Sequence, residues 1–427
     1  MECKTSALCI FDKEAIQTDI IKNSIVDYFP VSSINGSGPI EFHVPGNTED
    51  YIDVDDINIQ IKLKVTKKDG TNIADADKVA LTNLPIASLF QDVILTLGET
   101  QIEGGQQCYP YLGYITTIMQ FQPQAQKSHM TAFGWFKDES GKMDDDDNKG
   151  FKSRQQLIVN SNEIELYGPL YLDFTRQSRY LISQTDMRFK FIPNKPEFAL
   201  IGLNNASKDF KISFEKVVLH VKRMLLNPSV INGHASGLSS QNAIYPIQHT
   251  EIITFTIPKG QRSHVKDRLY PLQAPKLLMI GMLENDAYNG VINKNPFNFQ
   301  HFKLNKIALY RDGECVPGRP FTPDFEKKQY CRSYVNTMTT LKYFNTDDTN
   351  GMTLEEFANG YTIYAYDLTP DNNISASYKQ AISTNNLRLE LAFEDALPNT
   401  INVLLFGVFD SHIEITKLQD VIPAYTR

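Results

Sequence analysis

Strict alternation of apolar and polar residues marks the stretch from Tyr51 to Gly70. The aliphatic positions of this alternation are Ile57, Ile59, Ile61, Leu63 and Val65, and the residues between them are polar. Because successive strand side chains point to opposite faces, the pattern predicts a strand that is buried on one side and wet on the other. A slip of one residue would expose all of these aliphatic side chains, so the register is strongly specified. Residues 67–70 predict a turn, and residues 39–46 predict a shorter strand before it.

Similar segments continue through the first half of the chain. Strands are predicted at Asp92–Glu99, Glu163–Tyr167, Met187–Phe191 and Phe210–Leu226. The last segment is long enough to be a helix, but its alternating start and its three valines favour a strand. Tyr109–Met119 carries aromatic and aliphatic residues at helical spacing, which predicts a short helix.

The second half of the chain repeats the order of these segments. The paired segments are Glu251–Ile257 with Glu41–Val44, Ile307–Glu314 with the strand and turn at Gly98-Glu99, Tyr361–Leu368 with Ile164–Leu172, Asn386–Leu391 with Asp186–Phe191, and Ile401–Ile415 with Phe210–Met224. Each pairing is weak alone, but five pairings in the same order at an offset near 200 residues are not expected by chance. The segments that begin at Asn386 and Asp186, for example, are offset by 386 − 186 = 200 residues. We therefore predict an all-β double jelly roll, with two tandem eight-stranded antiparallel β-sandwiches and a few short helices in loops.

This organisation gives five segments. Residues 1–35 are predicted to be an N-terminal arm, 36–226 the N-terminal jelly roll, 227–242 a linker rich in Pro, Gly and Ser, 243–416 the C-terminal jelly roll, and 417–427 a C-terminal tail. Within the arm, Ala15, Ile16, Ile20 and Ile21 could form one side of a short helix. Two interpretations of the arm stay open: a floppy terminus, or a segment that becomes ordered on a neighbouring subunit.

Composition indicates the cellular compartment and the kinds of partner that such a chain suits. No apolar run approaches the roughly 20 residues needed to span a bilayer, and the N-terminus lacks a basic region followed by an apolar one, so secretion is not indicated. The sequons at Asn35, Asn205 and Asn373 are therefore interpreted as chance. The cysteines are odd in number, widely spaced and without a CxxC pair, which indicates reduced thiols: Cys3, Cys9, Cys108, Cys315 and Cys331. A formal net charge of −8 argues against a protein that coats nucleic acid, but not against a shell that encloses DNA.

Chemical motifs are scarce. The chain contains no GxSxG, HExxH, GxxxxGK[ST] or strand-linked GxGxxG motif, and its scattered histidines form no HxH pair of the cupin type. The run Asp144 to Asp147 lacks the spacing of an EF-hand loop, so an exposed, solvated loop is the preferred interpretation over a calcium site. We predict no catalytic residues, no cofactor-binding residues and no metal ligands, and no cofactor.

Aromatic residues cluster in two loops. Phe133, Trp135 and Phe136 form the densest group, which suits core or subunit packing better than a ligand platform. Aromatic residues also fill Asn295 to Phe302 (NPFNFQHF), and aromatics placed in loops indicate an extended contact surface between subunits.

Several blocks of the sequence resemble a known family. They are Gly38–Gly46 (GPIEFHVPG), Glu49–Val54 (EDYIDV), Lys294–Phe299 (KNPFNF), Thr322–Phe325 (TPDF), Asn359–Asp371 (NGYTIYAYDLTPD) and Leu387–Leu391 (LRLEL). In order and content they are similar to the major capsid protein of Polinton (Maverick) elements and adintovirus-like viruses. The likeness extends from about residue 36 to residue 416, and it does not cover the first 35 residues or the acidic loop.

This resemblance implies a structural protein of the virion. The family's subunits are double jelly rolls that form homotrimers, which act as pseudo-hexameric capsomers and tile an icosahedral shell around double-stranded DNA. Penton and minor capsid proteins are the implied partners besides the chain itself, and the chain would be made in the host's reducing cytoplasm or nucleus. Two other functions stay open from the residues alone: a module that binds a glycan or a protein through its aromatic loops, and an enzyme built on a jelly-roll scaffold.

Overall fold

Two antiparallel sandwiches follow one another along the chain in the computed structural model, which describes residues 16–34, 38–74, 77–203, 209–374 and 386–424. The strands of the first sandwich and its small side ribbon are β1 (Ile20–Tyr28), β2 (Ile40–Val44), β3 (Asp50–Lys67), β4 (Val79–Leu81), β5 (Phe90–Leu97), β6 (Thr100–Glu103), β7 (Ile164–Pro169), β8 (Met187–Pro193), β9 (Leu200–Gly202) and β10 (Phe210–Leu226). The strands of the second are β11 (Ala243–Ile257), β12 (Ser263–Lys266), β13 (Leu277–Glu284), β14 (Leu304–Arg311), β15 (Glu314–Phe321), β16 (Ile363–Asp367), β17 (Leu387–Phe393), β18 (Ile401–Ile415) and β19 (Val421–Pro423).

Short helices lie in the connections. They are α1 (Pro85–Ser88), α2 (Tyr109–Gln120), α3 (Pro123–Lys127), α4 (Lys149–Ile158), α5 (Pro196–Ala199), α6 (Pro228–Gly237), α7 (Asn285–Tyr288), α8 (Cys331–Thr340) and α9 (Leu354–Ala358). Single 3-10 turns occupy His129–Phe133, Val159–Ser161 and Phe174–Arg176. The helix predicted at Tyr109–Met119 is confirmed as α2. Within the described ranges, no helix is long and apolar enough to cross a membrane.

The two sandwiches have the same strand order. The first contains the sheets β1-β10-β3-β7 and β2-β8-β5-β6, and the second contains β11-β18-β13-β16 and β12-β17-β14-β15. Strands β4 and β9 form a separate ribbon, and β19 pairs with β18. All pairings between these strands are antiparallel. Two four-stranded sheets with this crossing order form a jelly roll, so the predicted double jelly roll is confirmed.

Strand β3 shows how the alternating pattern produces the core. Its odd-numbered aliphatic residues from Ile57 to Val65 are at most 1% exposed, whereas the polar residues between them are partly exposed. On one side β3 pairs with β10, where Ile59 lies opposite Leu219 and Ile61 opposite Val217. The long segment Phe210–Leu226 is therefore a strand, as its valines predicted.

The internal repeat is confirmed for four of its five predicted pairs. By strand order, β14 and β15 match β5 and β6, β16 matches β7, β17 matches β8, and β18 matches β10. The predicted match of Glu251–Ile257 with Glu41–Val44 is wrong, because Glu251–Ile257 belongs to β11, the counterpart of β1. The true counterpart of β2 is β12. The error arose because an amphipathic strand followed by Pro and Gly occurs at both places.

The helix predicted near the start of the chain is also wrong for the residues that the structure describes. Ile20 and Ile21 lie in β1, which pairs with β10 along the edge of a sheet: Val26 lies opposite Val221 and Tyr28 opposite Leu219. Ala15 lies outside the described residues. The apolar spacing suited a helix, but the unpaired edge of β10 supplies backbone partners that no local pattern could show.

Candidate functional site

The contact between the two sandwiches is formed by buried aromatic rings. Tyr114 of α2 stacks on Phe297, with 4.1 Å between the ring centroids, and its ring lies 5.5 Å from that of Trp135. Tyr111, one turn earlier, meets Phe297 edge-on at 5.7 Å. One hydrophobic core runs through both sandwiches at this contact. The sandwiches are therefore held by apolar burial and not by the connecting segment alone.

This contact corrects the prediction for the loop Asn295 to Phe302. Phe297 and Phe299 are fully buried inside the single chain, so they are unavailable to another subunit. Gly281 of β13 faces Phe299 so closely that a Cβ there would lie 2.6 Å from the ring. For these two rings the predicted contact surface between subunits is wrong, because they pack between the two halves of one chain.

The other aromatic cluster also packs inward. Trp135 is 1% exposed, and Phe133 lies against β7, where a Cβ on Gly168 would approach its ring to 2.5 Å. The preference for core packing over a ligand platform is thus confirmed for these two residues.

A buried polar network crosses the same contact. Arg154 of α4 donates from Nη2 to Asp138 Oδ1 at 2.8 Å, and both side chains are fully buried. The Asp138 carboxylate accepts further hydrogen bonds: its Oδ1 accepts from Asn148 Nδ2 at 2.8 Å, and its Oδ2 accepts from Asn295 Nδ2 at 3.1 Å. Tyr361 donates its hydroxyl to the Asp138 carbonyl oxygen at 2.5 Å. Because Asn295 and Tyr361 come from the second sandwich, this network fixes the geometry of the contact.

The acidic run Asp144 to Asp147 lies beside this network. Asp145 and Asp147 are exposed, and Asp147 forms ion pairs with Lys142 at 3.0 Å and with Lys152, so the predicted solvated loop is correct for these two residues. It is wrong for Asp144, which is partly buried and accepts hydrogen bonds from Asn295 N at 2.6 Å and Asn298 Nδ2 at 2.9 Å. Burial raises the pKa of Asp144. The described residues contain no group of three or more His, Cys, Asp or Glu placed to hold a metal ion.

A second junction surrounds two buried carboxyl groups and a cavity of about 370 Å³. Glu103 accepts the N–H groups of Asp173 at 2.7 Å and Phe174 at 2.5 Å, while Asp173 accepts the N–H and hydroxyl of Thr250 at 2.6 and 3.0 Å. Burial, reinforced by the nearby Asp173 charge, raises the pKa of Glu103 to about 8. Burial also raises the pKa of Asp173 and lowers that of His249, whose Nδ1 lies 3.7 Å from Asp173 Oδ2.

A carboxyl pair beside a histidine in a cavity could suggest acid–base catalysis. Here both oxygens of Glu103 and both oxygens of Asp173 accept hydrogen bonds from the chain itself, and Asp173 joins the first sandwich to β11 of the second. No sequence signal predicted this cluster, since its members are distant in the chain and follow no motif. Its geometry is that of a structural contact.

Exposed apolar residues concentrate at the start of the chain. Ile21, Ile25, Phe29 and Val31 are each about 60% exposed or more. They lie on or directly after β1, which ends its sheet and is paired only with β10 among the named strands. An exposed apolar edge strand favours association with another chain, and natural edge strands are more often protected by charge. This is the strongest candidate for an assembly surface among the described residues.

Similar proteins were found by sequence and by structure. No protein-family model matches the chain. An uncharacterized protein of Caenorhabditis elegans, F54H12.2, is 24% identical over 406 residues, which cover 92% of this chain and 94% of that protein.

Solved viral structures share the fold over almost the whole chain. The cryo-EM structure of the Sputnik virophage matches with a TM-score of 0.67 at 13% identity, covering 99% of this chain and 92% of that one. The PBCV-1 virus capsid matches at 0.59 and 11% identity, covering 98% and 100% of the two chains. The mavirus major capsid protein matches at 0.57 and 12% identity, covering 98% and 93%. The last two of these structures are described as a virus capsid and a major capsid protein, and at such identities the likeness shows the fold alone.

Proposed function

We propose that this chain is a viral-type major capsid protein whose function is to assemble. Three copies form a homotrimer of six jelly rolls, and these pseudo-hexameric capsomers tile an icosahedral shell around a double-stranded DNA genome. The observation that carries the proposal is the pair of sandwiches with identical strand order in one chain. That arrangement is shared with the capsid structures over 98–99% of the chain.

The energetics of the subunit suit this role. A shell protein must present its two sandwiches at one fixed angle, because an error there would spread through every capsomer contact. The ring stack of Tyr114 on Phe297 and the buried Asp138–Arg154 network supply that rigidity. The net charge of −8 suits a shell that encloses DNA without binding it tightly. Packaging and the icosahedral vertices are then the functions of separate partners, such as penton and minor capsid proteins.

The source of the chain is proposed from its sequence blocks. They resemble Polinton (Maverick) and adintovirus-like capsid proteins, and a relative from a nematode supports an element carried by an animal genome. The described cysteines, Cys108, Cys315 and Cys331, are free thiols, which supports synthesis in the reducing cytoplasm or nucleus before incorporation into the virion.

The mass of the purified protein tests the proposal. We expect sedimentation or light scattering to give about 145 kDa, three times the chain mass of 48.5 kDa, and electron microscopy to show hexagonal particles. A strict monomer at high protein concentration would overturn the proposal. Saturable glycan binding by such a monomer would instead favour the binding module.

A further inference from the structure

A larger cavity also lies between the two sandwiches, in the form of a cleft of about 870 Å³. Its walls include the end of α2 and the segment after β7 in the first sandwich, and parts of β11, β13 and β18 in the second. Binding sites for small molecules typically have volumes of about 300–1,000 Å³, so the cleft is large enough for one. The side chains on its walls decide which class of molecule it suits.

Two arginines on the first-sandwich wall have no acidic partner. Arg176 and Arg179 line the cleft, and within the described ranges neither forms an ion pair. The chain has 50 Asp and Glu residues against 42 Lys and Arg, with a formal net charge of −8, so carboxylates for pairing are plentiful. Two unpaired guanidinium groups in one cleft therefore produce a local positive potential, which a concave wall of low polarity concentrates.

Buried neighbours hold both arginines in place. The guanidinium of Arg176 lies over the buried ring of Tyr171, 5.2 Å from its centroid. Gln177, which is 6% exposed, accepts the N–H of Arg179 at 2.7 Å and donates its amide to the Arg179 carbonyl oxygen at 2.6 Å. Arg179 Nη1 donates to the carbonyl oxygen of Ile244 in β11. Because a guanidinium carries five N–H donors, both arginines keep donors for a ligand.

The carboxyl groups of the cleft are engaged by the second sandwich. Asp173 accepts the N–H and the hydroxyl of Thr250, and Asp410 accepts a hydrogen bond from Lys276 Nζ at 2.6 Å. With Lys276 included, the lining residues carry three cations and two carboxyl groups. Thr116 of α2 also lines the cleft, and its buried hydroxyl has no hydrogen-bond partner among the described residues. An acceptor atom on a ligand would satisfy that donor.

The second sandwich adds apolar surface to this charged wall. Ile247 of β11, Leu277 of β13 and Val408 of β18 line the cleft. We call these three residues the apolar wall. Cationic donors beside apolar surface suit an anion that also has an organic part.

We propose that this cleft binds a small molecule with several phosphate groups, which Arg176 and Arg179 hold. A guanidinium fork can donate to two phosphate oxygens at once, which favours phosphate over a simple anion such as chloride. A nucleotide and an inorganic polyphosphate both have this chemistry, and they differ in whether an organic part contacts the apolar wall. The site lies within one chain, so the inference goes beyond assembly and does not depend on the trimer. Because the ligand contacts both sandwiches, binding stabilises the folded chain.

ATP and inorganic tripolyphosphate are the probes, because they share a phosphate chain and only ATP has an organic part. Isothermal titration calorimetry of the full chain, without divalent metal, should show one ATP bound per chain. The urea midpoint of Trp135 fluorescence should rise with ATP concentration. Tighter binding of ATP than of tripolyphosphate assigns a nucleotide, equal binding assigns an inorganic polyphosphate, and both results support the site. No binding of either probe at about 10 mM overturns it.

Removal of both guanidinium groups tests their role. In Arg176→Gln with Arg179→Gln, each lost charge-assisted contact weakens binding about tenfold or more, so we expect ATP affinity to fall at least about 100-fold. The matched control is Arg262→Gln with Arg319→Gln, which removes the same charge at two exposed arginines that do not line the cleft. We expect this control to bind ATP within about threefold of the wild type, since distant exposed charges are screened.

A third variant keeps the test valid if the cleft double variant fails to fold, which far-UV circular dichroism and Trp135 fluorescence detect. Gln120 is exposed at the end of α2 and lines the cleft, so Gln120→Glu adds a carboxylate there and leaves both arginines in place. We expect repulsion to weaken ATP binding about tenfold. Wild-type affinity in either folded cleft variant overturns the proposed site, and so does an equal loss of affinity in the Arg262→Gln/Arg319→Gln control.

Discussion

Removal of the Asp138 carboxylate is the sharpest test of how the two sandwiches are held together. In Asp138→Ala the Arg154 guanidinium stays fully buried but loses its carboxylate partner, and the amides of Asn148 and Asn295 each lose an acceptor. Arg154 keeps two carbonyl acceptors, those of Leu81 at 2.8 Å and Phe136 at 2.7 Å, which cannot neutralise its charge.

The magnitude follows from burial. Breaking a buried ion pair by removing one partner costs about 3–5 kcal/mol, since the remaining charge is left uncompensated in a medium of low polarity. The two amides lose acceptors as well, so we expect the upper part of that range for Asp138→Ala. Asp147→Ala is the matched control, because Asp147 lies on the same connection and also contacts two cations but is exposed to solvent. Solvent screens such pairs, and we expect no resolvable change.

The single tryptophan provides the assay. Trp135 lies directly before Phe136 in the network and is buried against Tyr114, so its fluorescence reports the opening of this contact. Urea unfolding at one fixed protein concentration should show a much lower midpoint for Asp138→Ala than for the wild type, and an unchanged midpoint for Asp147→Ala. Equal midpoints for the two variants would refute the claim that this network fixes the sandwiches.

Three further perturbations test the core and the second junction. Burial raises the pKa of Glu103 to about 8, so the folded chain holds the proton of this carboxyl group more tightly than the unfolded chain does. The protonated carboxyl group therefore stabilises the folded chain fully below the ordinary pKa of 4.5, and this stabilisation is lost as the pH rises to about 8. Urea midpoints measured from pH 5 to 9 should therefore fall for the wild type, and Glu103→Gln should flatten the profile; parallel profiles would contradict this account. Phe297→Ala should lower the free energy of unfolding by about 3–5 kcal/mol through the cavity it leaves, whereas Phe344→Ala, at a 56% exposed ring, should change it little. Gly281→Ala places a Cβ 2.6 Å from the ring of Phe299 and should lower the free energy of unfolding by about 1–3 kcal/mol. Gly233→Ala, in open space on helix α6, should raise it by about 0.5–1 kcal/mol. Thermal unfolding measures both variants, and a Gly281→Ala variant more stable than Gly233→Ala would contradict the packing at Phe299.

Local sequence pattern predicted the structure of a segment correctly wherever its hydrophobic periodicity matched the way the segment is buried in the folded chain. The alternation from Ile57 to Val65 predicted both the strand and its buried face, since burial on one side of a pleated strand requires that period. The helix at Tyr109–Met119 was likewise visible. The match of Asn386–Leu391 with Asp186–Phe191 predicted equivalent strands, which the structure confirms as β17 and β8.

Local pattern failed where partners came from far along the chain. The first strand was mistaken for a helix because Ile16, Ile20 and Ile21 also suit helical spacing, and only the edge of β10 decides the outcome. Asp144 was expected in solvent with its acidic neighbours, yet backbone and amide donors more than 150 residues away draw it into the contact between the sandwiches. Sequence spacing contains no information on such donors.

The sequence by itself determined the class of this protein: an all-β chain built from two repeats of one strand order, without the motifs of common enzymes. Hydrophobic periodicity is a local property, and it survives in the sequence whatever the tertiary contacts are. The tertiary structure decided which surfaces are used. It buried Phe297 and Phe299 inside one subunit and left the residues of β1 exposed, because which apolar side chains are covered depends on how the two sandwiches pack against each other.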